Sequence, residues 1–306
     1  MELGWFGGSD APSVDATVAR ARQAHEAGFD TFWLPQVVGL DALVALAVVG
    51  REVPDICLAT SVVPIQGRHP LPLALAALTV ADAAGPGRFT LGLGVTHPTV
   101  SEGWFGVPYR GIVDACAETL EALDGLFSPA RRADVDGEHL RVHAPTAITA
   151  EAPQVVLAAM GPRMVELAGS RADGTLTWMT GPRGVAAIAP GLRDAAAAAE
   201  RPAPRLAVGI PVCVTDSRAK ARERLAPIME RSALMPAYSR QIAIERVEAP
   251  VDLAVVGTED EVAEHLGRFA DAGMTELCAN LLGTPEDVER SAAFLVGHAA
   301  SMAGRG

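Results

Sequence analysis

One turn of the chain has the residue types of an anion-binding site. An apolar run over residues 155–159 breaks at Gly161-Pro162 directly into an amphipathic helical pattern. Proline suits the first helical position because its missing N–H would have no partner there, and the N–H groups of Arg163 and Met164 then point out of the helix. Such groups, together with the helix dipole, attract a phosphate or a carboxylate. The same pattern also occurs as an ordinary strand-to-helix connection in α/β proteins.

Two side chains that follow another apolar run, residues 89–94, are candidates for proton transfer. His97 is able to donate a proton or a hydrogen bond to a bound ring, and Glu102 is able to act as a proton donor. Each has a structural alternative. His97 would also serve to tie down the following loop, and Glu102 would also serve as a solvated or helix-capping carboxylate. The residue types alone leave these alternatives open.

Large apolar side chains near the same loops have the size to wall a planar ligand. We predict a substrate pocket formed by Trp104, Phe105, Tyr109, Trp178 and Met179. The same residues would have the same pattern in sequence if they belonged to the core or to a dimer interface.

Strand and helix patterns alternate along the whole chain, and they must position these side chains. The predicted strands cover residues 3–6, 31–34, 56–63, 89–94, 155–159, 175–178, 205–214 and 276–280. Helical patterns fill the gaps, at 14–28, 40–50, 71–84, 111–127, 162–170, 183–199, 217–232 and 285–303, with an additional one at 259–272. Eight such repeats favour an α/β fold of the (β/α)8 TIM-barrel type, with chemistry at the C-terminal ends of the strands.

Two insertions interrupt the repeats of this barrel. One follows the fourth strand and helix at 128–152, where Asp136-Gly137 lies between alternating segments as in a small hairpin. The other, helical or irregular, covers 233–258. Because the composition does not change along the chain, we expect one domain over residues 1–306.

Charge and cysteine content exclude several classes of function. The net charge of −12 argues against a nucleic-acid binder or a binder of anionic membranes, since both need a basic face. The four cysteines lie far apart without the spacing of a zinc or redox site, so we predict reduced cysteines and no metal. No run of eighteen residues lacks polar interruption. We expect a cytoplasmic protein that acts on a small molecule.

Several motifs, in order, resemble the bacterial-luciferase-like superfamily. They are RHP at 68–70, GRFTLGLG at 87–94 and AAMGP at 158–162. Within that superfamily the chain is similar to the actinobacterial branch that uses the deazaflavin coenzyme F420. The motifs that carry this similarity are GLGVTHP at 92–98, EGWFGVPY at 102–109 and AMGPRM at 159–164.

The resemblance implies a deazaflavin across the barrel mouth, with its phosphate at the Gly161-Pro162 turn and a non-proline cis peptide at Ser61–Val62 behind its ring. FMN binds proteins of this fold in the same way, so FMN is the alternative cofactor. Relatives are commonly homodimers, and the apolar face at 42–49 would serve for such an interface, but a helix of the barrel must also bury a face of this kind against its own strands. The implied cofactor contacts are Gln36, Ser61, Val62, Leu93, Gly94, His97, Ala159, Met160, Gly161, Pro162, Arg163 and Met164.

Three departures separate the chain from the sugar-phosphate dehydrogenases of the superfamily. Those enzymes have a histidine after the second strand, a glutamate after the fourth and a lysine near the sixth. Here Val37, Val95 and the Met-Thr-Gly-Pro of residues 179–182 take these places, which argues against glucose-6-phosphate oxidation.

A site without that base favours hydride transfer from reduced F420 to an activated C=C or C=N bond of a small, secondary-metabolite-type substrate, because the electron-poor bond itself promotes the reaction. The alternatives are an FMN-dependent luciferase-like monooxygenase and a non-catalytic F420- or flavin-binding barrel. A phosphate-binding lyase or isomerase is more distant, because the lysine or paired acids that it needs are missing.

Overall fold

The computed structural model describes residues 1–303, in which strands and helices alternate. The strands are β1 Glu2–Phe6, β2 Thr31–Leu34, β3 Cys57–Thr60, β4 Val63–Pro64, β5 Phe89–Gly94, β6 Arg132–Asp136, β7 Arg141–Pro145, β8 Gln154–Leu157, β9 Gly174–Trp178, β10 Arg205–Val214, β11 Val255–Gly257 and β12 Glu276–Leu281. The helices are α1 Val14–Ala27, α2 Ala42–Glu52, α3 Pro70–Ala84, α4 Pro98–Gly103, α5 Ile112–Phe127, α6 Pro162–Arg171, α7 Pro182–Ala198, α8 Arg218–Ala233, α9 Pro236–Glu245, α10 Glu259–Asp271 and α11 Pro285–Ala303, with a 3-10 turn at Pro250–Leu253.

Eight parallel strands form the predicted barrel, in the order β1, β2, β3, β5, β8, β9, β10 and β12. All neighbours along this order except β8 and β9 pair through parallel ladders, and β12 pairs in turn with β1. Individual hydrogen bonds connect β8 to β9 and to the residue before it. Asp173 N donates to Val155 O over 2.7 Å, and Thr175 Oγ1 donates to Leu157 O over 2.7 Å. The sequence prediction of a (β/α)8 fold is therefore confirmed.

Both insertions form the kinds of structure that the sequence indicates. The first contains the antiparallel hairpin of β6 and β7, with Asp136 pairing with Arg141 across the turn. The second contains α9, the 3-10 turn and β11, which adds to the barrel strand β10. Three short elements, β4, α4 and β11, were not predicted separately, because two to six residues are too few for a hydrophobic period to show.

A small inner core fills the barrel below its mouth. It consists of Trp33, Ala59, Val156, Leu176, Ala207 and Cys278. Trp33 is the largest of these side chains, and it fits because Gly4 on the neighbouring strand leaves the space open. A Cβ atom at Gly4 would lie 2.5 Å from the Trp33 ring. The larger apolar core lies between the strands and the surrounding helices.

A buried carboxylate at the bottom of the barrel joins several strands. Glu276 is completely buried, accepts from Trp33 Nε1 over 2.7 Å and accepts from Arg205 over 2.6 Å. Arg205 also donates to Thr90 Oγ1 and to Gln154 Oε1, at 3.0 and 2.7 Å. Burial raises the pKa of Glu276, and the Arg205 guanidinium opposes this rise. These contacts connect β2, β5, β8, β10 and β12 and close the floor of the barrel.

Replacing Glu276 with Gln tests this floor. The amide retains an oxygen for Trp33, but it leaves the Arg205 guanidinium, 80% buried, without its nearest charged partner, since the other carboxylate, that of Glu2, lies 3.9 Å away. We expect the free energy of unfolding in urea to fall by about 3 kcal/mol, the low end of the range for breaking a buried ion pair. The matched control is Asp136→Asn in the exposed pair with Arg141, for which we expect a much smaller loss. Equal losses in the two variants would contradict the structural role of Glu276.

Candidate active site

A cavity of about 660 Å³ opens at the C-terminal ends of the barrel strands. Its lower wall comes from residues at or just beyond the strand ends, among them Phe6, Ala158, Trp178 and Asn280. Phe6 and Trp178 stack with their ring centroids 4.9 Å apart. Side chains from α8 and α9 complete the outer wall. The cavity therefore lies where a barrel of this type carries its chemistry.

The structure brings part of the predicted site together. The predicted residues that line the cavity are Ser61, Val62, His97, Tyr109, Ala159, Met160 and Trp178. The other predicted residues lie outside this lining, in four groups: Leu93 and Gly94 behind the strand ends; Glu102, Trp104 and Phe105 at the end of α4 and just after it; residues 161–164 at the start of α6; and Gln36 and Met179, which contact other parts of the protein.

The end of the third barrel strand has the cis Ser61–Val62 peptide that the resemblance implies. Ser61 Oγ is buried and has no hydrogen-bond partner in residues 1–303. On the adjacent strand a Cβ atom at Gly94 would lie 2.5 Å from Val62 Cγ2, so glycine leaves the space that Val62 occupies. Leu93 is fully buried beside it. Leu93 and Gly94 thus support the cavity wall from behind, and Ser61 presents an unpaired hydroxyl group at it.

His97 is placed to contact a ligand in the cavity. It follows β5 and precedes α4, and its side chain does not cap that helix. Its imidazole packs edge-on against Tyr238, with centroids 5.6 Å apart, and makes no hydrogen bond within the described part of the chain. Burial lowers the pKa of His97, so the imidazole is neutral at neutral pH. A neutral ring offers a ligand one donor and one acceptor nitrogen.

Glu102 and two of the predicted aromatic residues face away from this cavity. Glu102 Oε1 accepts from Tyr109 N over 3.1 Å, which closes the loop that follows α4. Trp104 and Phe105 in that loop are 61% and 44% exposed. Tyr109, at the end of the loop, reaches the cavity, and burial raises its pKa.

Gln36 and Met179 contact other parts of the protein and do not line the cavity. Gln36 Oε1 accepts from Ala42 N over 2.8 Å, at the start of α2. Met179 is completely buried in the outer core, directly after the cavity residue Trp178. Their contacts depend on neighbours that the local sequence does not show.

The first turn of α6 has open hydrogen-bond donors. No side chain caps this helix, and the N–H groups of Arg163 and Met164 have no acceptor among residues 1–303. A Cβ atom built on Gly161 would meet nothing within 4 Å, so the space in front of the helix is open. The Arg163 side chain is exposed and lies 3.5 Å from Asp114. The turn follows Met160, which lines the cavity, so a ligand in the cavity is able to extend to it.

The next barrel repeat also has a Gly-Pro turn before its helix, but there a side chain of the protein binds the first turn of the helix. Helix α7 begins at Pro182, after Gly181, and its first turn already holds a carboxylate. Glu245, the last residue of α9, accepts from Gly184 N over 2.6 Å and from Arg183 N over 3.3 Å. The donors of α7 are thus satisfied within the protein, and those of α6 are left for a ligand.

Several cavity residues escaped the sequence analysis. Asn280 is the next-to-last residue of β12, and its carboxamide makes no hydrogen bond with the described residues; a polar residue near the end of an apolar strand is a signal that could have found it. Tyr238, Ile228 and Arg231 reach the cavity from α8 and α9. They lie in or beside an insertion whose position over the barrel no local pattern indicates.

Three further properties of the described residues bear on function. Residues 1–303 contain no group of three or more His, Cys, Asp or Glu side chains placed to hold a metal ion. In the same range no helix has both the length and the apolar character that a bilayer crossing requires. All four cysteines are free.

The packing of Tyr238 on His97 predicts a measurable pKa effect. Replacing Tyr238 with Ala admits water to the imidazole, which stabilises its charged form, so the His97 pKa rises towards 6.5. Tyr238→Phe keeps the ring and serves as the control, with the pKa as low as in the unmodified protein. NMR titration of the imidazole measures both. A His97 pKa that is the same in all three proteins would contradict burial by Tyr238 as its cause.

Comparisons with known proteins agree with this geometry. The sequence model of the luciferase-like monooxygenase family matches residues 1–276. A Mycobacterium tuberculosis protein named as a coenzyme F420-dependent oxidoreductase is 29% identical over 296 residues, covering 86% of this chain and 83% of its own.

Solved structures with the same fold include proteins with either cofactor. An F420-dependent secondary alcohol dehydrogenase in complex with an F420-acetone adduct has a TM-score of 0.82 at 17% identity, covering 97% of both chains. The oxygenating constituent of 3,6-diketocamphane monooxygenase from Pseudomonas putida, in complex with FMN, has a TM-score of 0.78 at 18% identity, covering 98% of both chains. On the match over residues 1–276, the chain belongs to the luciferase-like monooxygenase family and is an oxidoreductase.

Proposed function

We propose that this oxidoreductase binds coenzyme F420 in the strand-end cavity and uses its reduced form to transfer hydride to an activated C=C or C=N bond of a small substrate. One observation carries the proposal: the open first turn of α6 adjoins a cavity that presents the neutral, unpartnered His97. The first feature suits the phosphate of a cofactor, and the second suits a reaction that needs little acid or base strength.

The residues present fit a phosphate-bearing cofactor with a planar ring. The N–H groups of Arg163 and Met164 would hold the phosphate, and the buried, unpaired hydroxyl of Ser61 would hydrogen-bond the ring side. Val62 and Met160 provide apolar contact surface between them. The space in front of Gly161 leaves room for the phosphate to approach the helix.

Reduced F420, when bound, would supply a hydride. The protein contributes orientation, exclusion of water and a proton source. The stacked Phe6 and Trp178 form part of the lower wall of the cavity and side chains of α8 and α9 its outer wall, so these walls would exclude water from the bound ring and strengthen the hydrogen bonds made there. We assign to His97 a hydrogen bond to the substrate and the relay of the proton that the reduced substrate needs: one ring nitrogen would give up its proton as the other takes one from water, so that the imidazole stays neutral. Glu102 has no such role in this proposal, because it is exposed and hydrogen-bonded to Tyr109 N.

The Val37 and Val95 side chains argue against a sugar phosphate as the substrate. Both line the cavity, at the positions where the resemblance leads one to expect a basic or acidic group in a sugar-phosphate dehydrogenase. Neither is able to accept a proton from an alcohol. An electron-poor double bond, which accepts hydride without prior deprotonation, therefore suits this cavity better.

An FMN-dependent monooxygenase is the second candidate, because an FMN complex exists in the same fold. The open turn of α6 suits the phosphate of either cofactor. The similarity to a protein named for F420 favours the deazaflavin.

Gly161→Asp tests the position of the phosphate. Gly161 has φ −92° and ψ 151°, which any residue adopts, so Asp fits there and caps α6 without harming the fold. Its carboxylate competes with the phosphate and repels it. We expect F420 affinity, measured by fluorescence titration, to fall at least about tenfold while the melting temperature stays equal or rises.

Gly161→Asn is the matched control, because it fills the same space and caps the helix without a charge. It should weaken F420 binding less than Asp does. Unchanged affinity in Gly161→Asp would place the phosphate elsewhere. Titration of the unmodified protein with FMN distinguishes the candidates: we expect F420 to bind more tightly, and preference for FMN would favour the monooxygenase.

Turnover tests the reaction itself. Reduced F420 should be oxidised in the presence of at least one class of activated substrate, tested as enones, cyclic imines and dehydroamino acids. His97→Gln should lower kcat by about a hundredfold, the low end of the effect of a positioned proton donor, without a comparable change in F420 affinity. F420 binding with no turnover across the panel would favour a non-catalytic binding protein.

A further inference from the structure

Helix α9 forms one wall of the cavity and is anchored at its far end. Near its start, Ala237 and Tyr238 line the cavity, and the Tyr238 ring covers His97. At its other end Glu245 reaches the first turn of α7. One short helix thus links the cavity wall to the start of another helix of the barrel.

The Glu245 carboxylate fits closely against the first turn of α7. Its two carboxylate oxygens accept from Gly184 N and Arg183 N, at 2.6 and 3.3 Å, and Arg183 donates from its side chain to the Glu245 carbonyl over 3.1 Å. A Cβ atom at Gly181 would lie 2.5 Å from the Glu245 carboxyl carbon. Glycine at that position leaves the space that the carboxylate fills. The negative charge also complements the positive end of the α7 dipole.

Other contacts hold α9 weakly. Gln241 is its one fully buried residue, half of its ten residues are exposed, and Tyr238 and Ile242 are partly buried against the core. Gln241 packs over α7, where a Cβ atom at Gly184 would lie 2.6 Å from its Oε1. That oxygen has no hydrogen-bond donor in the described chain. A helix of ten residues with only two partly buried apolar side chains on the core depends strongly on the caps and hydrogen bonds at its ends.

We propose that Glu245 is a positioning residue, which caps α7 and thereby holds α9 over the barrel so that Tyr238 covers His97. Its effect on the reaction rests on the proposed function, and its effect on the wall of the cavity does not. Glu245 acts at a distance from the cavity, through α9 and Tyr238. Without this cap, the free protein would open the α9 wall more often and expose His97 to water.

Glu245→Ala tests the proposal in the free protein, without cofactor. Arg240 within α9 and Arg246 directly after it provide trypsin sites that are cleaved when α9 detaches. We expect cleavage there to be about five-fold faster, the increase in opening that the loss of an ordinary helix cap gives. We also expect the His97 pKa to rise towards 6.5, which loss of a cap alone would not cause if α9 stayed in place.

Two further variants make the result unambiguous. Glu245→Gln keeps one acceptor oxygen, so its cleavage rate and His97 pKa should lie between those of the unmodified protein and of Glu245→Ala; it carries the test if the alanine variant does not fold. Glu223→Ala removes an exposed carboxylate of α8 that makes no hydrogen bond or ion pair with the described residues, and it should change neither quantity. If Glu245→Ala and Glu245→Gln matched Glu223→Ala in both measurements, the proposal would be wrong, whichever cofactor the protein binds.

Discussion

The buried ion pair of Glu276 and Arg205 is the constraint on which the position of the site depends. Together with the indole of Trp33, it fills the lower part of the barrel and connects five of its strands. Gly4 leaves the space that the Trp33 indole occupies. Since the bottom of the barrel is packed and charged, the space for a ligand lies at the other end. There the strand ends and the first turns of the following helices converge on one cavity.

The fold could be predicted from the sequence because its signals are local and repeated. Each barrel strand is a short apolar run, and each following helix has its own amphipathic period, so eight repeats indicate the barrel together. The sequence also indicates the part of the site that belongs to strand ends: Ser61, Val62, His97 and Trp178 line the cavity because the chain direction places them there.

Loop side chains could not be placed by the same reasoning. Glu102, Trp104 and Phe105 follow a strand end, but a turn of helix intervenes and directs them outwards. Gln36 also follows a strand end, and its oxygen is taken by the start of α2. Tyr238 reaches the cavity from an insertion, so only the three-dimensional structure reveals that it covers His97. The two Gly-Pro turns make the same point: they look alike in sequence, and Glu245, which distinguishes them, lies about sixty residues further along the chain.

A crystal structure of the protein with coenzyme F420 would test the central proposal most directly. We expect the phosphate within hydrogen-bonding distance of the N–H groups of Arg163 and Met164, and the ring against Ser61–Val62 with His97 beside it. The same crystal should show the Glu245 carboxylate still on the first turn of α7. A cofactor whose phosphate lies away from α6, or whose ring lies outside the strand-end cavity, would contradict the proposed site.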